Sequence, residues 1–331
     1  MRRRAFLAGV PPALAACSPT VQLAHRPGAD FAGPRLENDR FVSFDGVGLG
    51  LTSWEAAGEP WAVIVALHGM NDYAEAFTLA APIWAEQGIT TYAYDQRGFG
   101  RSPARGVWGG QRLMMEDLRT AVRLARQRHP DAVLAIVGES MGGAVTISAM
   151  ASADPPAVDR VVLIAPAVWG FGQMPLVYRS TLWLGAHTIG SNLVKAPRSL
   201  VRRRRASDNV EHMRRMGRDR NVIFRTRIDT LYGLTLLMQH AGLSVGRMRR
   251  PPAVLYCYGE HDRVIPKKPS FNAAGQLRAG DRSAYYENGW HMLTRDLQGE
   301  IVTRDIAAYI RDPGAPLPSG APPIPVAPKA P

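Results

Sequence analysis

Residues 62–67 read AVIVAL, six apolar positions without a polar break. Similar runs stand at 89–94, 133–137, 161–165 and 254–258, with a shorter one at 284–286. Unbroken apolar runs of this length predict strands buried on both faces, as in a parallel sheet. Two further short strands are predicted at 41–45 and 48–54. Between the runs, 112–129 shows helical spacing with charge on one face. A helix of small and apolar residues is predicted from about 140 to 152, and an amphipathic one over 298–311. Strands alternating with helices predict an α/β domain, a mostly parallel sheet covered on both faces.

Three stretches fall outside this alternation. Residues 167–250 separate two sheet strands, and Ile228, Leu231, Leu234, Met238 and Ala241 keep helical spacing there. This predicts an inserted helical cap, dividing the sheet domain into 35–166 and 251–312. Residues 313–331 hold eight prolines and read as a disordered tail. Residues 18–34, rich in Pro and Ala, read as a tether.

The first 17 residues, MRRRAFLAGVPPALAAC, have the charge and short apolar core of an export signal. Arg3-Arg4-Ala5-Phe6-Leu7 resembles a twin-arginine signal, and Leu14-Ala15-Ala16-Cys17 a bacterial lipobox. The expectation is a chain lipidated on Cys17 and exported to a bacterial cell envelope, on the periplasmic face of a membrane. Cys257 is then the mature chain's one cysteine, in an apolar run, and neither a disulfide framework nor a cysteine metal site is available.

Charge is unevenly placed. The net charge is +12, and residues 167–250 carry 16 basic against 4 acidic side chains. The other residues balance to zero. A basic cap on a lipid-anchored chain points to anionic lipid. Export and the lack of a recognition motif argue against nucleic acid. No metal-ligand cluster or phosphate loop is visible, and no cofactor is expected.

The candidate chemistry centres on Gly138-Glu139-Ser140-Met141-Gly142, a G-x-S-x-G string. The string alone is weak, because Gly242-Leu243-Ser244-Val245-Gly246 fits it too. Context separates the two. Ser244 follows a helical stretch and runs into RMRRPP, whereas Ser140 lies between a buried strand and a helix. There, flanking glycines permit a strained turn that presents the hydroxyl above the sheet. Such a serine needs a base and an orienting acid. His25 lies in the tether, His129 at a helix end, and His187, His212 and His240 in the cap. His68 follows a strand. His261 and His291 remain, both in loops after sheet strands. Asp262 and His291 fall just past strand carboxyl ends, as Ser140 does, where sites in open α/β sheets gather. Without these partners Ser140 would be only a helix N-cap, Asp262 a turn residue and His291 a structural histidine.

HGMND at 68–72, YDQRGFGRS at 94–102, GESMGG at 138–143, GEHDRVIP at 259–266 and NGWHML at 288–293 stand in this order. In these segments the chain resembles the α/β-hydrolase fold, and within it the monoacylglycerol lipase and lysophospholipase family. The likeness spans 40–166 and 251–311. The cap resembles the family by position alone. The resemblance implies Ser140 as nucleophile, His291 as base and Asp262 as its orienting acid, with the Met70 and Met141 N–H groups as oxyanion hole. His261 would crowd its neighbour Asp262. The resemblance also implies that Asp95 to Ser102 is a supporting loop, that His68 is structural, and that Glu139 fills the motif's variable position. The implied substrate is a lipid ester, a monoacylglycerol or lysophospholipid. Phe171, Leu176 and Trp183, in the cap's apolar run, are candidates for an acyl-binding wall. Competing readings are an acyltransferase using the same acyl-enzyme, a peptidase, and a non-enzymatic lipid-binding lipoprotein.

Overall fold

The computed structural model describes residues 18–195, 205–249 and 252–325. The segment expected to be an export signal, with Cys17, and Arg202–Arg204 lie outside the described residues. Eleven strands are seen among the described residues: β1 Arg35–Leu36, β2 Arg40–Val42, β3 Gly48–Trp54, β4 Ala62–Leu67, β5 Ile89–Tyr94, β6 Val133–Glu139, β7 Arg160–Ile164, β8 Leu193–Val194, β9 Thr226–Arg227, β10 Ala253–Gly259 and β11 Arg282–Tyr286. The main helices are α1 Ala81–Glu86, α2 Gln111–Arg128, α3 Met141–Met150, α4 Leu176–Thr188, α5 Val210–Met216, α6 Ile228–Gly242, α7 Lys267–Ala274 and α8 Gly299–Arg311.

Nine strands form one sheet in the order β1-β2-β3-β5-β4-β6-β7-β10-β11. From β5 to β11 every pairing is parallel, and β1, β2 and β3 add an antiparallel edge. Alternation along β4 shows how the apolar run serves two layers. Val63, Val65 and Leu67 pack with Met114, Leu118 and Val122 of α2 and Val145 of α3. Ala62, Ile64 and Ala66 pack with Trp84 of α1 and Val302, Ile306 and Tyr309 of α8. Every residue of β4 is buried, so a polar side chain at any of them would lose its solvation.

The cap enters between β7 and β10. It comprises α4, α5, α6 and the β8–β9 pair. Helix α6 crosses α3, all ten of whose residues are buried. Three expectations need correction. The strand predicted over 41–45 ends at Val42, because Ser43–Val47 closes as a turn with Gly46 at φ 78°. The tether is fastened: Gln22 N donates to Trp108 O at 2.9 Å, and His25 N to an Asp45 carboxylate oxygen at 3.0 Å. The proline-rich tail, over its described residues 313–325, packs on the sheet domain. Its prolines donate nothing, but their carbonyls still accept, and Pro322 O takes the Tyr285 N–H of the edge strand β11 at 2.7 Å. Leu317 and Ile324 are buried beside it, and Ser319 Oγ bonds Asp305. The tail thus covers an edge that would otherwise be free to pair with another chain.

Candidate active site

β6 ends at Glu139, and Ser140 takes φ 51°, ψ −113° before α3 begins. This is costly for an L side chain, by about 1–3 kcal/mol. It is held by bonds on both sides. Ser140 N donates to Ile164 O at 2.9 Å, and Ser140 O accepts from Ala144 N at 3.1 Å and Ala167 N at 2.9 Å. Gly142 explains the motif's second glycine, since a Cβ there would stand 2.2 Å from Leu67 O. α3 therefore starts against the end of β4. Because glycine reaches the mirror-image region freely, Ser140→Gly is expected to melt above Ser140→Ala by about 2 °C, read by calorimetry. Equal melting temperatures would show that the elbow stores no strain.

Asp262 follows β10 and His291 follows β11, so both reach the edge of the sheet on which Ser140 stands. Asp262 Oδ1 accepts from Val264 N at 2.7 Å and Ile265 N at 2.9 Å. Its Oδ2 pairs with His291 Nδ1 at 2.8 Å. Both side chains are buried, and Ser140 is 7% exposed. Nδ1 thus carries the proton and Nε2 is free to accept one. Ser140 Oγ is not hydrogen-bonded to His291; catalytic contacts of this kind tighten in the Michaelis complex. Burial alone would depress the His291 imidazolium, but the Asp262 carboxylate outweighs it and lifts the pKa above the ordinary 6.5. A base acts only when neutral, so the acid limb of kcat/KM is expected above pH 6.5. A pH–rate profile with a limb at or below 6.5 would contradict this. His261 is exposed and lies against Trp290, 5.2 Å between ring centroids.

The turn after β4 and the start of α3 carry the two N–H groups expected of an oxyanion hole. Among the described residues, the backbone N–H groups of Met70 and Met141 are paired with no protein acceptor. The turn is fixed from below by His68. Its Nε2 accepts from Gln96 N at 2.8 Å, which places the ring proton on Nδ1, 2.7 Å from Gly69 O. Burial drives the His68 pKa down and keeps the ring neutral. The 95–102 loop bonds the segment after this turn: Asp95 Oδ1 accepts from Ala74 N at 2.9 Å. The cap holds the same turn from above. Ile223 N donates to Asn71 O at 2.9 Å, and Asn71 Nδ2 to Thr226 Oγ1 at 2.8 Å. It also holds the His291 loop, where Met292 N donates to Ala206 O at 3.0 Å.

Other residues singled out earlier lie elsewhere. Ser244 adopts an ordinary φ of −116° and is no elbow. The Cys257 thiol is buried, its pKa driven far up by desolvation. Phe171 and Trp183 line an apolar groove of about 530 Å³ with Arg179, Leu184, Tyr232 and Leu236. Leu176 stands outside that groove, 73% exposed, and none of Ser140, Asp262 and His291 lines it. Glu139 is more than the variable position of a motif. It is buried and paired with Arg295, which also bonds Asp72 at 2.7 Å. Sequence reading missed this cluster, because an arginine in a polar loop looks solvated.

The model of the family described as serine aminopeptidase, S33, matches residues 58–298. The chain is 25% identical over 286 residues to a monoacylglycerol lipase of Mycolicibacterium smegmatis, covering 82% of this chain and 95% of the relative. It is 23% identical over 300 residues to the monoglyceride lipase of Mus musculus, covering 88% and 95%. The fold is shared with a soluble variant of the Saccharomyces cerevisiae monoglyceride lipase, solved with a substrate analogue. There the TM-score is 0.68 at 16% identity, over 86% of this chain and 97% of that one.

Proposed function

Because the chain belongs to the serine aminopeptidase, S33, family of α/β-hydrolases, we propose that it cleaves lipid-type carboxylic esters through an acyl-enzyme on Ser140. The observation that carries the roles is the Asp262–His291 bond at the sheet edge where the strained Ser140 elbow stands. His291 Nε2 takes the Ser140 proton as Oγ attacks the ester carbonyl. The Met70 and Met141 N–H groups hold the oxyanion. His291 then gives the proton to the leaving alcohol. Water, deprotonated by His291, attacks the acyl-enzyme, and its collapse frees the acid and restores Ser140.

The choice of ester over peptide rests on two supports. The relatives above carry monoacylglycerol and monoglyceride lipase names. Three buried carboxylates of the site are also committed, Asp262 to His291 and both Asp72 and Glu139 to Arg295. A substrate ammonium drawn to any of these three would have to displace its partner. The test is fatty-acid release from monoacylglycerol, lysophospholipid and short aryl esters, beside an aminoacyl amide. Cleavage of the amide in preference to every ester would overturn the reading.

The cap supplies the lipid side of the proposal. On α4, Leu176, Val177, Tyr178, Trp183 and Leu184 are all more than half exposed. Arg214, Arg215, Arg218 and Arg220 stand exposed on the same cap. Phe171 and Trp183 are offered as part of an acyl wall, and α4 with the arginines as a docking face for anionic membrane lipid. Lipidation of Cys17 in a bacterial cell envelope would hold this face near its surface. With about 1 kcal/mol for each basic side chain near an anionic surface, the chain from residue 18 onward is expected to bind phosphatidylglycerol-containing vesicles at least tenfold tighter than neutral ones. The gap should close in high salt. Equal binding to both vesicle types would dispose of the docking face.

A further inference from the structure

Three loops carry the proposed machinery, and one buried side chain joins them. Arg295 is 1% exposed. Its Nη1 donates to Asp72 Oδ2 at 2.7 Å, and its Nη2 donates to Glu139 Oε1. Asp72 belongs to the turn that presents the Met70 N–H. It closes that turn through Asp72 N to Gly69 O at 3.4 Å, and its Oδ1 accepts from Tyr73 N at 2.9 Å. Glu139 is the last residue before Ser140. Arg295 sits four residues beyond His291, and its own N–H returns to Met292 O at 2.7 Å.

We propose that Arg295 is a positioning residue for the hydrolysis, its two ion pairs holding the oxyanion turn, the Ser140 elbow and the His291 loop in one register. This rests on the ester-hydrolase reading above. The guanidinium suits the task because its fork is planar and fixes the angle between two acceptors, which an ammonium does not. Stability alone is a weak reason for such a cluster. Burying three charges is costly, and apolar replacements are often as stable. The return lies in geometry, where a displacement of about 1 Å costs about a hundredfold in rate. The same cluster acts on the base. His291 faces Asp262 from the loop after β10, Glu139 from the end of β6 and Arg295 from its own loop. Glu139 favours the imidazolium, as Asp262 does, and Arg295 opposes it.

The test uses the chain from residue 18 onward with p-nitrophenyl butyrate, following kcat, KM, the pH profile and the melting temperature. Arg295→Met is expected to lower kcat by about a hundredfold with KM within about threefold, and Arg295→Lys to recover about tenfold of the loss. The acid limb of kcat/KM should move to higher pH in Arg295→Met and to lower pH in Glu139→Gln. Should Arg295→Met fail to fold, the near-isosteric triple variant Asp72→Asn, Glu139→Gln, Arg295→Met leaves no charge in the cluster and decides the matter. Low kcat in a folded triple variant supports the clamp, and wild-type kcat in it reduces the cluster to a structural one. Where the triple variant also fails to fold, Glu139→Gln decides, and an unmoved limb with unchanged kcat overturns the proposal. A wild-type chain inert toward every ester would instead count against the hydrolase reading itself.

Discussion

Replacing Ser140 by Ala is expected to lower kcat for ester hydrolysis by about 10⁴-fold or more, with KM within a few-fold. The size follows from what the hydroxyl does. It is the atom that bonds to the acyl carbon, so without it the reaction falls back on water held near the oxyanion donors. Substrate contacts are untouched, hence the small change in KM. The fold should survive, since alanine keeps the Cβ and the elbow's three backbone bonds do not involve Oγ. A fluorophosphonate probe should label the wild type and leave Ser140→Ala unlabelled. Ser244→Ala, changed in the second copy of the motif, should behave as wild type, because Ser244 sits at an ordinary backbone angle in the cap. If Ser140→Ala kept more than about a tenth of kcat, the nucleophile would have to be another residue.

What the chain discloses on reading depends on how local the cause is. Residues 62–67 read as a buried strand because each position meets apolar neighbours on one face or the other, and an unbroken apolar run is the imprint of both. Ser140 and Asp262 were legible because each follows a strand of that kind, and His291 because it follows the shorter edge strand β11, so placing the strands placed the three residues on one edge. The cap was legible as an interruption, but its apolar run does not state which residues face outward. α4 turns Leu176 to solvent and Trp183 toward a groove, a choice made by packing against α6. The tail misled because proline content predicts disorder when nothing is available to pair with. Here an edge strand supplied a donor, and Leu317 and Ile324 supplied apolar surface. Arg295 was invisible for the strictest reason. Its partners lie 223 and 156 residues away, and nothing in the local string DLQGE or MLTRD distinguishes a buried guanidinium from a solvated one.

Asp262→Asn is the sharper test of the base, because it changes one proton and almost no volume. Oδ1 of Asp262 accepts from the Val264 and Ile265 N–H groups, so an asparagine must keep its carbonyl oxygen there. Its NH₂ then faces His291 Nδ1, where the carboxylate stood. A donor in that place makes Nδ1 the acceptor and moves the ring proton to Nε2, the nitrogen that has to receive the Ser140 proton. The base is present, buried and correctly placed, but in the wrong tautomer. kcat is therefore expected to fall by about 10⁴-fold with KM within a few-fold. The pH profile supplies an independent sign. With the carboxylate gone, burial is no longer outweighed, so the His291 pKa should drop and the residual activity should show its acid limb at lower pH than wild type. Asp262→Ala should lose the orienting contact too, and free the two loop N–H groups besides, so it should be less stable than Asp262→Asn by about 1–3 kcal/mol. An Asp262→Asn variant retaining kcat within tenfold, with an unmoved acid limb, would mean that His291 is oriented by something other than Asp262.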